Sequence, residues 1–190
     1  MSIEYHFPIP FYKRQAEGSG LDALQEELWS ACNQKDFSHR EDWNKGTHRL
    51  SENAFGDCVL TRYNCVKFLK HLDFCIFNYV SCDPKPKYTI TSSWFTKTLI
   101  GEHAHMHDHG GSDISGVYYL QTNGQDGNLY LNSPLGMLSR NFVMGGERMS
   151  ISVQPKQGLL ALWPSFIFHG VAENKTDSER ISLSFNIKVE

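Results

Sequence analysis

Residues 101–111 read Gly-Glu-His-Ala-His-Met-His-Asp-His-Gly-Gly, and four of the nine histidines in the 190-residue chain lie in this segment. If the segment is extended, side chains alternate between its faces. His103, His105, His107 and His109 then share one face, and Asp108 points away from it. Two imidazoles spaced two apart on a strand can reach one metal ion, and imidazole suits iron, zinc, nickel or copper. An exposed polar strand face is the plainer alternative, but it needs no such repetition, and an internal, interleaved run is not a tag. A catalytic centre needs a third ligand from elsewhere in the chain. His169 is the candidate: it follows the apolar run Leu162-Trp-Pro-Ser-Phe-Ile-Phe, where an imidazole must be hydrogen-bonded or hold a metal.

Eleven residues after His169, Arg180-Ile-Ser182 opens the segment RISLSFNIKV. As a strand it carries Ile181, Leu183, Phe185 and Ile187 on one face and Arg180, Ser182, Ser184 and Asn186 on the other. The polar face either meets water, as one face of an antiparallel sheet commonly does, or turns inward, where Arg180 and Ser182 could clamp a carboxylate.

These groups need a scaffold, and the chain reads in two halves. Leu21, Leu24, Leu28, Ala31 and Cys32 form a helical stripe over residues 21–33, with acidic residues in its first turns. A second helix is expected from Asn64, as N-cap, to Val80, with Cys65, Phe68, Leu69, Leu72, Cys75, Ile76 and Tyr79 as its apolar stripe; Cys82-Asp-Pro-Lys-Pro then ends it. Residues 37–57 are polar and turn-rich and give no legible element. From Tyr88 onward the signal changes to YTITSSWF, SGVYYLQT, GNLYLN, MSISVQP, GLLALWP, FIFHGVAE and RISLSFNIKV, separated by Gly- and Asn-rich turns. With the histidine segment these make about eight short strands, the pattern of a sandwich, jelly roll or barrel. The expected architecture is one domain over 1–190, with a helical part (1–87) packed on a β core (88–190).

Composition excludes several classes. Hydrophobic residues at 40% and charged residues at 21% describe an ordinary globular chain. A net charge of −3 argues against nucleic acid as partner. No apolar run approaches the roughly 18 residues of a membrane span, and the N-terminus lacks a signal-peptide pattern, so a cytoplasmic protein is expected. Five cysteines without a Cys-x-x-Cys pair read as reduced thiols.

Taken together, the chain resembles the iron(II)/2-oxoglutarate-dependent oxygenases, closest to a small group found in marine phages and bacteria. The resemblance is carried by His107-Asp-His109-Gly-Gly-Ser-Asp-Ile-Ser115-Gly-Val-Tyr-Tyr-Leu, by Pro155-Lys-Gln-Gly158-Leu-Leu-Ala-Leu-Trp-Pro164-Ser, by His169-Gly-Val and by Arg180-Ile-Ser-Leu-Ser-Phe-Asn186. Phe7-Pro-Ile-Pro and Ser93-Trp-Phe add to it. It implies a double-stranded β-helix (jelly roll), mainly β with N-terminal helices. It implies His107, His109 and His169 as iron ligands, Arg180 on the distal carboxylate of 2-oxoglutarate and Ser182 assisting. Three positions on iron would remain, two for the keto acid and one for dioxygen. The superfamily usually carries His-x-Asp/Glu where this chain has His107-Asp-His109, but the small group has His-x-His. A three-His site carries one more positive charge than a two-His-one-carboxylate triad. Asp108 would need a bulge to reach the metal, His105 is the reserve ligand and His103 falls outside. The implied reaction is hydroxylation of a small molecule or protein side chain, with decarboxylation of 2-oxoglutarate to succinate.

Two other readings compete. A metallo-β-lactamase-type hydrolase needs His-x-His-x-Asp-His, but His107 or His109 occupies the aspartate position in either register. A cupin-like three-His metal binder or dioxygenase would not use 2-oxoglutarate and has no need of Arg180-Ile-Ser182. Trp94, Tyr118, Tyr119 and Asn186 could line a pocket, although strand aromatics are more often core. Segments 37–57 and 133–148 are the expected walls or lid.

Overall fold

A computed structural model describes residues 9–39, 46–51, 57–80, 86–134 and 150–190. In chain order the elements are β1 (Tyr12–Gln15), α1 (Gly18–Cys32), β2 (Phe37–Ser38), β3 (Arg49–Ser51), α2 (Val59–Arg62), α3 (Val66–Val80), β4 (Tyr88–Thr98), β5 (Ala104–His107), β6 (Ile114–Gln121), β7 (Leu129–Asn132), β8 (Ser150–Val153), β9 (Leu159–Pro164), β10 (His169–Val171) and β11 (Arg180–Val189).

The strands form two antiparallel sheets. One runs β1-β9-β6-β11-β4-β3-β2 and the other β5-β10-β7-β8. The last eight strands divide four and four between them, which is the jelly roll expected from sequence. β1, β2 and β3 extend the larger sheet at both edges, and none was legible beforehand.

Strand alternation divides the interior. On β11, Ile181, Leu183, Phe185 and Ile187 face the helices, where they join Tyr118, Leu160 and Leu162 with Leu24 and Leu28 of α1 and Phe68, Leu72 and Ile76 of α3. A second apolar cluster (Val117, Tyr119, Leu129, Leu131, Val153, Ala161, Trp163 and Ile167) fills part of the space between the sheets. Amphipathic strands thus serve two cores. The polar face of β11 opens onto neither helix nor bulk water but onto the barrel, since Arg180, Ser182 and Asn186 are all buried.

The helical half departs from expectation in detail. α1 starts at Gly18, so Asp22 falls beyond its first turn and that turn holds no acidic residue. Asn64 is not an N-cap; it sits in the left-handed region at φ 50°, which asparagine tolerates. The α3 N-terminus is satisfied instead by Glu27 of α1, whose Oε1 and Oε2 accept from the Lys67 and Phe68 amides at 2.9 and 2.8 Å. A carboxylate supplied by a neighbouring helix suits the positive end of α3 and ties the pair together. The strand expected over 166–173 is reduced to His169–Val171, with Phe166 and Phe168 exposed in the preceding turn. Pro84, Cys82, Phe7, Pro8 and most of the expected lid (residues 135–148 of 133–148) lie outside the described residues. Among the described residues, no helix is long and apolar enough to cross a membrane.

Candidate metal and carboxylate site

The barrel encloses a cavity of about 400 Å³, walled by residues of both sheets. At one side His107, at the end of β5, stands directly opposite His169, at the start of β10, in the antiparallel ladder. His109 follows two residues after β5 and is held by its own amide, which donates to the Ser165 carbonyl at 2.9 Å. The ligand atoms of the three histidines lie within 4.8 Å of one another, so they could hold one metal ion. Trp163 packs on His169 and Trp94 on His109, with ring centroids 4.9 and 5.9 Å apart.

Two of the three imidazoles are oriented by main-chain carbonyls. His107 Nδ1 lies 2.7 Å from the His105 carbonyl, and His169 Nδ1 lies 2.9 Å from that of Ile167. A carbonyl can only accept, so each Nδ1 carries the proton and each Nε2 keeps its lone pair for a metal. Burial, with the His107 imidazole nearby, pushes His169 down to about 3 and His109 down to about 4. Both rings are therefore neutral at pH 7, the protonation state a ligand needs.

Asp108 is exposed at the cavity edge, and its Oδ1 is committed to the Gly110 amide at 3.0 Å. It does not join the cluster. His105 reaches the cavity rim and stacks edge-on against His103, centroids 4.6 Å apart, but neither belongs to the three-histidine group. Glu102 anchors the start of this segment: its carboxylate accepts from Arg49 Nε at 3.0 Å and from the Leu99 amide at 2.8 Å.

Deeper in the same cavity lies Arg180, only 2% exposed. Nη1 donates to the Asp126 and Gly127 carbonyls at 3.0 and 2.7 Å, and Nη2 to Thr98 Oγ1 at 2.9 Å. Nε is buried without a hydrogen-bond partner. Among the described residues no carboxylate forms an ion pair with this guanidinium: its direct hydrogen-bond partners are neutral, and the buried Asp126 carboxylate acts on its charge only from a distance, so an anion in the cavity would complete the site. The cradle depends on Gly127, at φ 103°: a Cβ there would stand 2.2 Å from the Ala172 carbonyl and 3.1 Å from Nη1. Ser182, the next inward-facing residue of β11, lines the same cavity.

Some contributors gave no usable signal in sequence. His48, just before β3, is a buried cavity-lining residue pushed down to about 3 by burial and by the Arg180 charge. A single histidine in a polar, turn-rich stretch offers nothing to single it out. Thr98 could have been found only from the register that sets it opposite Arg180. Of the four residues considered as pocket lining, Trp94, Tyr119 and Asn186 face the cavity, whereas Tyr118 packs edge-on against Phe68 in the helix-side core.

Comparison with curated protein sequences gave no match. Among solved structures, the chain is similar to the non-heme α-ketoglutarate-dependent epimerase SnoN of nogalamycin biosynthesis (10% identity, 94% of this chain and 77% of that one, TM-score 0.66). It is also similar to a Pseudomonas putida prolyl-4-hydroxylase (12%, 95% and 93%, TM-score 0.60). A third is HygX from Streptomyces hygroscopicus with nickel and 2-oxoglutarate bound (13%, 95% and 83%, TM-score 0.57). At these identities the likeness speaks for the shared jelly roll. The family description "Putative 2OG-Fe(II) oxygenase" matches residues 92–186, half of the chain, and that span contains every histidine of the cluster and Arg180. With a jelly roll, a three-imidazole group and a buried guanidinium all inside the matched region, the chain belongs to the 2OG-Fe(II) oxygenase family.

Proposed function

We propose that this oxygenase holds iron(II) through His107, His109 and His169, binds the distal carboxylate of 2-oxoglutarate at Arg180 with Ser182 assisting, and hydroxylates a small molecule or a protein side chain. The observation that carries this reading is the pairing, in one cavity, of three convergent imidazoles with a buried guanidinium that forms no ion pair with a carboxylate among the described residues. Both features fit these groups: His107 and His169 keep the Nε2 lone pair for a metal, and Arg180 retains an unused, buried N–H.

When bound, iron(II), 2-oxoglutarate and dioxygen supply the oxidising chemistry, with the keto acid decarboxylated to succinate. The chain's own contribution is position and shielding. Strand register sets two ligands opposite each other, and the Asp126 and Gly127 carbonyls and Thr98 aim the guanidinium. Trp94, Trp163 and Tyr119 exclude water from the walls. We place the protein in the cytoplasm, in keeping with free thiols at Cys32, Cys58, Cys65 and Cys75.

The test is anaerobic titration of the iron(II)-loaded protein with 2-oxoglutarate, following the visible charge-transfer band of a chelated keto acid. The expected result is a band in the wild type that is absent from Arg180→Ala and His169→Ala. Stoichiometric iron without any band would overturn the 2-oxoglutarate assignment and favour a cupin-like three-His site.

A further inference from the structure

His109 differs from its two companions in how its ring is held. His107 and His169 each find a main-chain carbonyl two residues back. Among the described residues, the contact at His109 Nδ1 is instead a side chain, Asn186, whose Nδ2 lies 3.5 Å away. Asn186 is itself buried on the inward face of β11, cross-strand from Ser115 on one side and Ser92 on the other. Its Oδ1 accepts from Ser115 Oγ at 2.9 Å and its Nδ2 donates to Ser92 Oγ at 3.2 Å. Ser115 Oγ also meets Ser165 Oγ at 2.9 Å, and the Ser165 carbonyl holds the His109 amide.

We propose that Asn186 is the positioning residue that sets the His109 tautomer, and that in the metal-bound protein its amide is turned so that Oδ1 accepts from His109 Nδ1–H. This rests on the metal site proposed above. For Nε2 to ligate a metal, Nδ1 must carry the proton. Two N–H groups would then oppose each other across the 3.5 Å contact, an arrangement that a half-turn of the amide removes. The surroundings permit that turn. A hydroxyl both donates and accepts, so Ser92 can donate to Oδ1, Ser115 can accept from Nδ2, and Ser115 can pass its own proton to Ser165. Every polar atom stays satisfied. The network thereby does for an imidazole at position 109 what the carbonyls of His105 and Ile167 do for the other two.

The test is metal affinity, measured without keto acid or turnover. Cobalt(II) binding is followed by its visible absorption in the wild type, Asn186→Asp, Asn186→Leu and His107→Ala. Aspartate retains an acceptor and can only accept, so Asn186→Asp should bind within about threefold of wild type. Leucine removes the acceptor and should weaken binding by about 10- to 100-fold. Equal losses in both, or no loss in Asn186→Leu, would overturn the inference. Should the variants fail to fold, long-range proton–nitrogen spectra of the zinc(II)-loaded wild type decide: the expected pattern is a protonated Nδ1 and metal-bound Nε2 at His109, and metal on Nδ1 overturns it. Retained affinity in His107→Ala would instead mean that the three-histidine site is misassigned, a failure distinct from that of Asn186.

Discussion

His107 and His169 are direct cross-strand partners in the β5–β10 ladder, with ring centroids 4.4 Å apart. A pair of candidate ligands placed by backbone register needs no flexible loop to assemble it. The ladder shifts register between His169 and Val171, at Gly170, where a Cβ would stand 2.9 Å from Met106 Sδ and 3.0 Å from the Ala104 carbonyl. Close approach of the two backbones therefore depends on glycine. Gly170→Val is expected to pry β10 from β5 and weaken cobalt(II) binding by at least about 10-fold, since metal sites tolerate little displacement of their ligands.

In the proposed site, substitution of Arg180 is the change expected to separate keto-acid binding from metal binding. In Arg180→Met, 2-oxoglutarate affinity should fall by at least about 30-fold, the scale for deleting one partner of a buried charged pair. Cobalt(II) affinity should remain within a few-fold. Calorimetric titration with each ligand checks this, and thermal shifts should agree: cobalt(II) still raises the Tm of the variant, while 2-oxoglutarate no longer does.

Gly127→Ala attacks the same site through the backbone. The positive φ and the 2.2 Å approach to the Ala172 carbonyl leave no room for a methyl group. Destabilisation of about 2–4 kcal/mol is expected by denaturant unfolding, with a loss of 2-oxoglutarate affinity because the Gly127 carbonyl is one of the acceptors for Nη1.

Glu27 supplies a contrast outside the cavity. Replacing it with alanine strips two amides of α3 of their acceptor. Stability should drop by about 1–2 kcal/mol, as for loss of a helix cap, while both ligand affinities stay unchanged. A change in either affinity would show that the helix pair is coupled to the barrel interior.

Acid should destabilise the metal-free protein early. His48 and His169 sit near 3 and His109 near 4, against about 6.5 in an unfolded chain. Between those values the unfolded state takes up protons that the folded state refuses. The stabilisation is therefore complete above pH 6.5 and is lost as pH falls toward 4, by at most about 1.4 kcal/mol per pH unit per group. Tm measured from pH 8 to 5 should decline below about 6.5, and His48→Gln should flatten the decline.

Much of this was already legible in the chain. Short β-branched and aromatic runs separated by turn residues specify strands through local sterics and side-chain alternation, which act within a few residues. The same alternation put Arg180, Ser182 and Asn186 on one face and the histidines in one row. What alternation cannot say is which side of a face is the inside. The polar face of β11 turned inward because its apolar face is taken by α1 and α3, a competition between distant segments. Alternation had already put His109 on the histidine face and Asp108 on the other, and the structure adds that the Asp108 carboxylate is committed to the Gly110 amide. Asn64 is no cap because α3 starts only at Val66 and Asn64 takes a left-handed turn before it, while Glu27, nearly forty residues earlier, accepts from the Lys67 and Phe68 amides. Local propensity determined the two long helices, most strands of the β core and the candidate ligands. Long-range packing decided which of them face the cavity, because burial and hydrogen-bond partners are properties of neighbours that only the folded chain brings together.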